Sequence, residues 1–369
     1  MRVRRRSLLQ GALAGAACAC AGPRGFSATA AAATRYVCPP CGCAMDGVEF
    51  SAPGTCPACG MTLTPKRDYP LEPSALEIGA GAFVTRGGRG DENKRVTVHY
   101  YKPHSFTPQS RVLLVIPGAG RDGDEYRDAW IETAERKSLL VASPSYPAAD
   151  YDFAAYHMGG VVRDLVIRNL PTGPDGEPLD VIHVRDEDIS FSINPRREEW
   201  LFNDFDRIVA LLAAAAGAER NGYDVFGHSA GGQILHRLAL FHPRSRAERI
   251  VAANSGFYTL PDLQTPPPVG LAGTGVSEAS LAESFAAQLT LLLGENDNSD
   301  EAGGTQIHTP MIDRQGIGRL SRGRYFFEVG AQQAQAMGAP FHWRLQTVPD
   351  VGHDFRAMSA AAARLLYEA

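Results

Sequence analysis

Residues 223–241 read YDVFGHSAGGQILHRLALF, and the order of patterns within them decides the architecture. The run YDVF has strand character, QILHRLALF has the apolar spacing of a helix, and Gly227-His228-Ser229-Ala230-Gly231-Gly232 lies between them. A G-x-S-x-G at such a turn forces its serine into a strained conformation. Small neighbours are needed because side chains there would collide with the adjoining strand and helix. The hydroxyl of Ser229 is thereby exposed above the sheet, and the N–H of Ala230 becomes a candidate oxyanion donor. The same pattern arises by chance as a simple turn; the flanking strand and helix separate the two readings.

Outward from this point, from about Glu72 onward, short apolar runs alternate with longer amphipathic stretches, the pattern of an α/β fold with a mostly parallel sheet flanked by helices. Strands are expected in 95–101, 111–118, 139–146, 223–227, 249–256, 289–294 and 343–350, with helices over 125–136 and 200–216. Residues 147–199, 261–285 and 298–318 lack regularity. Long irregular excursions are usually lids or solvated loops, and the first two are expected to border a substrate site.

These residues resemble the α/β-hydrolase family, in whose chain order a nucleophile is followed by an acid and then a base. The resemblance implies a base near the C-terminus; His353, after TVPDV and Gly352, matches that position better than His308 or His342. It implies an acid after the preceding strand, LTLLLG, where Asp297 matches and Asp300, Glu295 and Asp350 compete. A carboxylate there would orient the imidazole and stabilise its cation. The loop Pro117-Gly118-Ala119-Gly120 stands where the family keeps its glycine-containing oxyanion loop, and Ala119 is the closest match for the second donor. VIPGAGRDGDEY (115–126), AANSGFYTLP (252–261) and WRLQTVPDVGHDF (343–355) resemble the exported polyester-depolymerase and feruloyl-esterase group. That resemblance implies a serine esterase acting through an acyl-enzyme, without a catalytic cofactor, on a small-molecule or polymeric ester. The insertion between Met158 and Pro195 departs from shorter members and leaves the substrate class open.

All seven cysteines lie before residue 60. Cys38-Pro-Pro-Cys41 and Cys56-Pro-Ala-Cys59, separated by fourteen residues, have the spacing of a tetrahedral thiolate site, with zinc the expected ion. Cys43 is the odd thiol, and a disulfide-stapled knob is the competing reading. Residues 36–65, above all PGTCPACGMTL, resemble the short heavy-metal-binding module of some bacterial efflux and periplasmic proteins.

The N-terminus, MRVRRRSLLQGALAGAACACAG with Ala28-Thr29-Ala30 behind it, reads as a signal peptide of about thirty residues. Arg5-Arg6 resembles the twin-arginine export signal, which implies a periplasmic or secreted protein. Its apolar run is too short for a membrane anchor. Arg2, Arg4, Arg5, Arg6 and Arg24 are five of the chain's 36 cations, so 31 remain against 41 anions and the mature chain carries about −10. So acidic a chain is a poor polyanion binder, and nucleic acid is not an expected partner.

The sequence thus divides into a signal (1–30), a Cys-rich module (36–65) and a hydrolase-like body (72–369). Two other functions remain open: a peptidase on the same fold, and a periplasmic metal-binding or metal-delivery protein whose body is only scaffold.

Overall fold

The computed structural model describes residues 34–38, 43–45, 48–66, 68–173, 179, 181–298 and 303–368. Residues 1–30, read above as a signal, and Cys41 lie outside them. Eight strands form the central sheet: β1 (Gly79–Arg86), β2 (Arg95–Lys102), β3 (Val112–Ile116), β4 (Leu140–Ser145), β5 (Tyr223–His228), β6 (Ala247–Ala253), β7 (Leu289–Gly294) and β8 (Arg344–Val348). Their spatial order is β8-β7-β6-β5-β3-β4-β2-β1. All neighbours from β8 to β4 run parallel, and β2 and β1 add an antiparallel edge.

The central strands are apolar throughout because both faces are covered. In β3 all five residues are buried; Val112, Leu114 and Ile116 enter one core, while Leu113 and Val115 enter the other. The first core receives α1 (Phe202–Ala216), α2 (Ala230–Phe241), α3 (Glu278–Ala286) and α4 (Arg319–Ala336). The second receives residues 131–137 and α5 (Phe355–Tyr367). In α1 the buried set Phe202, Phe205, Ile208, Val209 and Leu212 follows the helical period, and Gly217 ends the helix at φ 75°. Every residue of α2 is buried, as befits a helix behind the middle of the sheet.

The seven expected strands are present, and β1 is an eighth that sequence reading missed. The helix expected over 125–136 is two pieces, Gly123–Asp128 and Ile131–Lys137. Between them Trp130 is fully buried, with its ring 5.4 Å from that of Phe226. The three irregular stretches hold one another. Residues 162–167 pair antiparallel with 189–193, and 181–183 pair in parallel with 306–308. Ala154, Met158 and Val162 share an apolar cluster with Phe257, Val269 and Ile312. The stretch 261–285 is only partly irregular, since α3 places Leu281 and Phe285 in the main core.

Residues 36–37, 49–50 and 64–65 form a separate three-stranded antiparallel sheet carrying the Cys-rich module.

Candidate active site and cysteine cluster

Ser229 follows β5 and begins α2. Its φ of 58° and ψ of −115° lie in a region that non-glycine residues rarely adopt, so the strain expected of the turn is present. Two hydrogen bonds hold it: Ser229 N–H donates to Ala253 O (3.0 Å), and Ser229 O accepts from Gln233 N–H (2.9 Å). The glycines have a steric cause. A Cβ on Gly231 would overlap the Ile116 carbonyl oxygen, one on Gly232 would overlap that of Ala253, and one on Gly227 would stand 2.6 Å from Gly231 backbone. Ser229 is itself half-buried, at the open end of the turn.

Asp297 lies three residues beyond β7 and His353 five beyond β8. His353 Nδ1 and Asp297 Oδ2 are 2.6 Å apart, with Asp297 fully buried. The pair is assembled from both sides. Asn254, at φ 48°, donates from Nδ2 to Gly352 O (3.1 Å) and accepts the Gly294 N–H (2.8 Å), tying the ends of β6 and β7 to the loop before His353. Asp354 caps α5 by accepting from Arg356 and Ala357 N–H, which anchors the chain just after the imidazole. On the far side, Arg319 Nη1 donates to Asp297 Oδ1 (2.9 Å), and Leu320 N–H donates to the Asp297 carbonyl (3.0 Å).

The competitors have other partners. Glu295 accepts from the Thr347 hydroxyl, and Asp350 occupies an exposed turn at φ 59°. Asp300 lies outside the described residues. His308 bonds Asp313 (2.9 Å), and His342 stands 3.0 Å from Ala286 O.

His228, the residue before Ser229, is buried with its ring centroid 4.5 Å from that of His353. Burial, then the nearby His353 and Arg319, push its pKa well below the usual histidine range. Its Nδ1 lies 3.3 Å from Tyr126 Oη, and Tyr126 stacks on Phe355 at 4.3 Å. Among the described residues the Ser229 hydroxyl makes no hydrogen bond; the contact that the structure itself contains is the one between Asp297 and His353.

Ala230 opens α2, where N–H groups have no intrahelical acceptor. Ala119 is exposed in the loop after β3, and that loop is braced from below. Arg121, buried and at φ 59°, donates from Nε to Ala119 O (3.2 Å) and from Nη1 to the carbonyls of Tyr146 and Tyr151 (both 3.1 Å). Its guanidinium lies 3.7 Å over the ring of Tyr156, whose hydroxyl donates to Pro117 O (2.8 Å). Residues 147–156 therefore support the loop that carries Ala119, the nearest the first irregular stretch comes to its expected role.

Arg319, Asn254, Arg121 and Tyr126 escaped sequence reading. Only Arg319 carried a signal: as the first residue of α4 it sets a cation at the positive end of a helix dipole.

In the N-terminal module the sulfurs of Cys38, Cys43, Cys56 and Cys59 all lie within 4.8 Å of one another. Cys38 Sγ is 3.4 Å from Cys59 Sγ and 3.9 Å from Cys43 Sγ, and Cys43 Sγ is 3.8 Å from Cys56 Sγ. A tetrahedron with Zn–S arms of ~2.3 Å has edges of about 3.8 Å, so the four thiols fit one ion, and these distances far exceed an S–S bond. Three expected ligands, Cys38, Cys56 and Cys59, are in this group. Cys41 is outside the described residues, and Cys43, read from the sequence as the odd thiol, supplies the fourth sulfur.

Residues 35–66 match the heavy metal binding domain family. The chain is similar to the solved structure of poly(aspartic acid) hydrolase-1 from Sphingomonas sp. KT-1, at 35% identity and TM-score 0.66, over 79% of this chain and 100% of that one. It is also similar to a poly(3-hydroxybutyrate) depolymerase from Bordetella parapertussis, at 31% identity and TM-score 0.66, over 79% of this chain and 90% of that one. No curated protein sequence matches the chain.

Proposed function

Since the chain belongs to the α/β-hydrolase family, we propose that it is an exported serine hydrolase that cleaves carboxylic esters through Ser229, His353 and Asp297. The observation that carries this reading is the 2.6 Å contact between His353 and Asp297, together with a serine strained at the head of α2 whose neighbour His228 packs its ring 4.5 Å from that of His353. In the reaction, His353 Nε2 removes the Ser229 proton as Oγ adds to the ester carbonyl. The N–H groups of Ala119 and Ala230 receive the oxyanion. The imidazolium, stabilised by Asp297, then protonates the departing alcohol. A water deprotonated by the same nitrogen releases the acid and restores the serine.

The relatives' names favour a polymer, and they divide on the bond. Poly(3-hydroxybutyrate) is a polyester, whereas the units of poly(aspartic acid) are joined by amide bonds. An amide substrate is therefore the second reading, separated from the first by assaying matched ester and amide oligomers. The scaffold reading has the observed strain against it, because a body that only carries a metal module needs no serine at φ 58°. Cys38, Cys43, Cys56 and Cys59 would hold a divalent ion such as zinc as a closed thiolate site that ties the module's turns together.

Export rests on residues 1–30. Among the described residues no helix is long and apolar enough to cross a membrane. A fluorophosphonate probe tests the central claim: labelling is expected in the wild type and absent in Ser229→Ala. Equal labelling of both proteins would refute it.

A further inference from the structure

We propose that Arg319 is a positioning residue of the hydrolytic site, one guanidinium that holds both the acid and the wall of the base. The inference rests on the reading of Ser229, Asp297 and His353 given above. Arg319 is buried, and Nη1 donates to Asp297 Oδ1 at 2.9 Å while His353 Nδ1 engages Oδ2 at 2.6 Å. With a partner on each oxygen, the carboxylate cannot rotate away from the imidazole. The other terminal nitrogen, Nη2, donates to the carbonyls of Gly303 (2.6 Å) and Gly304 (3.2 Å). Those residues lie against the base: a Cβ on Gly303 would be 2.7 Å from His353 Cβ, and one on Gly304 would be 3.4 Å from Nε2.

The placement runs against local preference. A cation on the first residue of a helix opposes the dipole, and taking it out of water costs further free energy. Asp297 supplies the compensation. Its carboxylate meets the guanidinium, and its carbonyl receives the first-turn N–H of Leu320. Arg322, three residues on, shows the contrast: it is equally buried, yet it bonds Gly256 O and Asp313 and touches neither acid nor base. A broken local rule at a position bonded to the acid is where a functional demand is expected to show.

Arg319 acts through Asp297 and the 303–304 loop, so its loss is expected in kcat and not in KM. Misplacing a reacting group by about an ångström costs on the order of 100-fold, so Arg319→Gln is expected to lower kcat by roughly 10–100-fold. Arg319→Lys, which keeps the charge but cannot span both partners, should recover part of that loss. The decisive measurement is a double-mutant cycle on a chromogenic short-chain ester with folded, full-length proteins. In an Asp297→Ala background, Arg319→Gln should lower kcat several-fold less than it does in wild type, because the first of its two targets, the carboxylate, is already gone.

Multiplying losses, or wild-type kcat in folded Arg319→Gln, would overturn the proposal. If Arg319→Gln does not fold, Arg319→Lys carries the cycle. If neither yields folded protein, the residue serves the fold and the proposal fails. Fluorophosphonate labelling, lost in Ser229→Ala, is scored separately, so failure of the underlying reading is seen independently of Arg319.

Discussion

The rings of His228 and His353 lie 4.5 Å apart, centroid to centroid, and are tilted by 43°. A cation on His228 would oppose the imidazolium proposed for His353, and burial prevents it by holding His228 neutral. His228→Gln, which leaves an uncharged group there, is therefore expected to keep the wild-type pH–rate profile between pH 5 and 8. Disappearance of an ionisation from that profile would show that His228 titrates in the working range.

Stability should fall in acid for a related reason. His157, His228 and His236 are all buried, and burial sets the pKa of each well below the usual value. His236 is committed at both nitrogens: Nε2 accepts the Thr259 N–H (3.0 Å), and Nδ1 faces Gly232 O (3.2 Å). Because the folded pKa is the lower one, the unfolded chain takes up protons first as pH drops. The stabilisation is therefore full above about pH 6.5 and is lost below it, by up to about 1.4 kcal/mol per pH unit for each histidine. Chemical denaturation from pH 7.5 to 4.5 should show a shallower slope for His236→Gln than for wild type, and identical slopes would remove His236 from this account.

Asp297→Asn keeps the shape of the acid and removes its charge. By the logic of a histidine oriented and stabilised by a carboxylate, kcat is expected to fall by about four orders of magnitude with the fold intact. Steady-state kinetics beside a melting curve checks this, and a loss under tenfold would point to a different acid.

Gly231 has no room for a side chain next to the Ile116 carbonyl, and that atom is backbone in the middle of the sheet. Gly231→Ala is expected to lose at least ~2 kcal/mol of stability as well as activity, since overpacking cannot relax there. A urea midpoint equal to wild type would contradict the steric argument.

For the module, the four clustered sulfurs predict about one tightly bound thiophilic ion per chain, and Cys43→Ser should strip it. Elemental analysis of folded protein purified without added metal decides this. Full occupancy in Cys43→Ser together with loss in Cys41→Ser would favour the C-x-x-C reading of the spacing, in which Cys41 is a ligand.

What the sequence determined alone was local or periodic. The elbow at 227–232 is legible because its steric demands fall on contiguous residues, and the inner strands are legible because double burial makes each one apolar from end to end. Asp297 and His353 were within reach only through chain order, each lying just beyond a recognisable strand. The tertiary structure decided everything that depends on residues distant in sequence. Arg319 reaches Asp297 across 22 positions, Asn254 reaches Gly352 across 98, and Tyr126 reaches His228 across 102; no periodicity encodes such contacts. The three-residue strands at 181–183 and 306–308 are of the same kind, too short for a pattern of their own and formed by pairing with each other. Cys43 shows the difference at its smallest: spacing counts residues along the chain, whereas a thiolate site requires sulfurs close in space, and only the folded turn brings Cys43 among them.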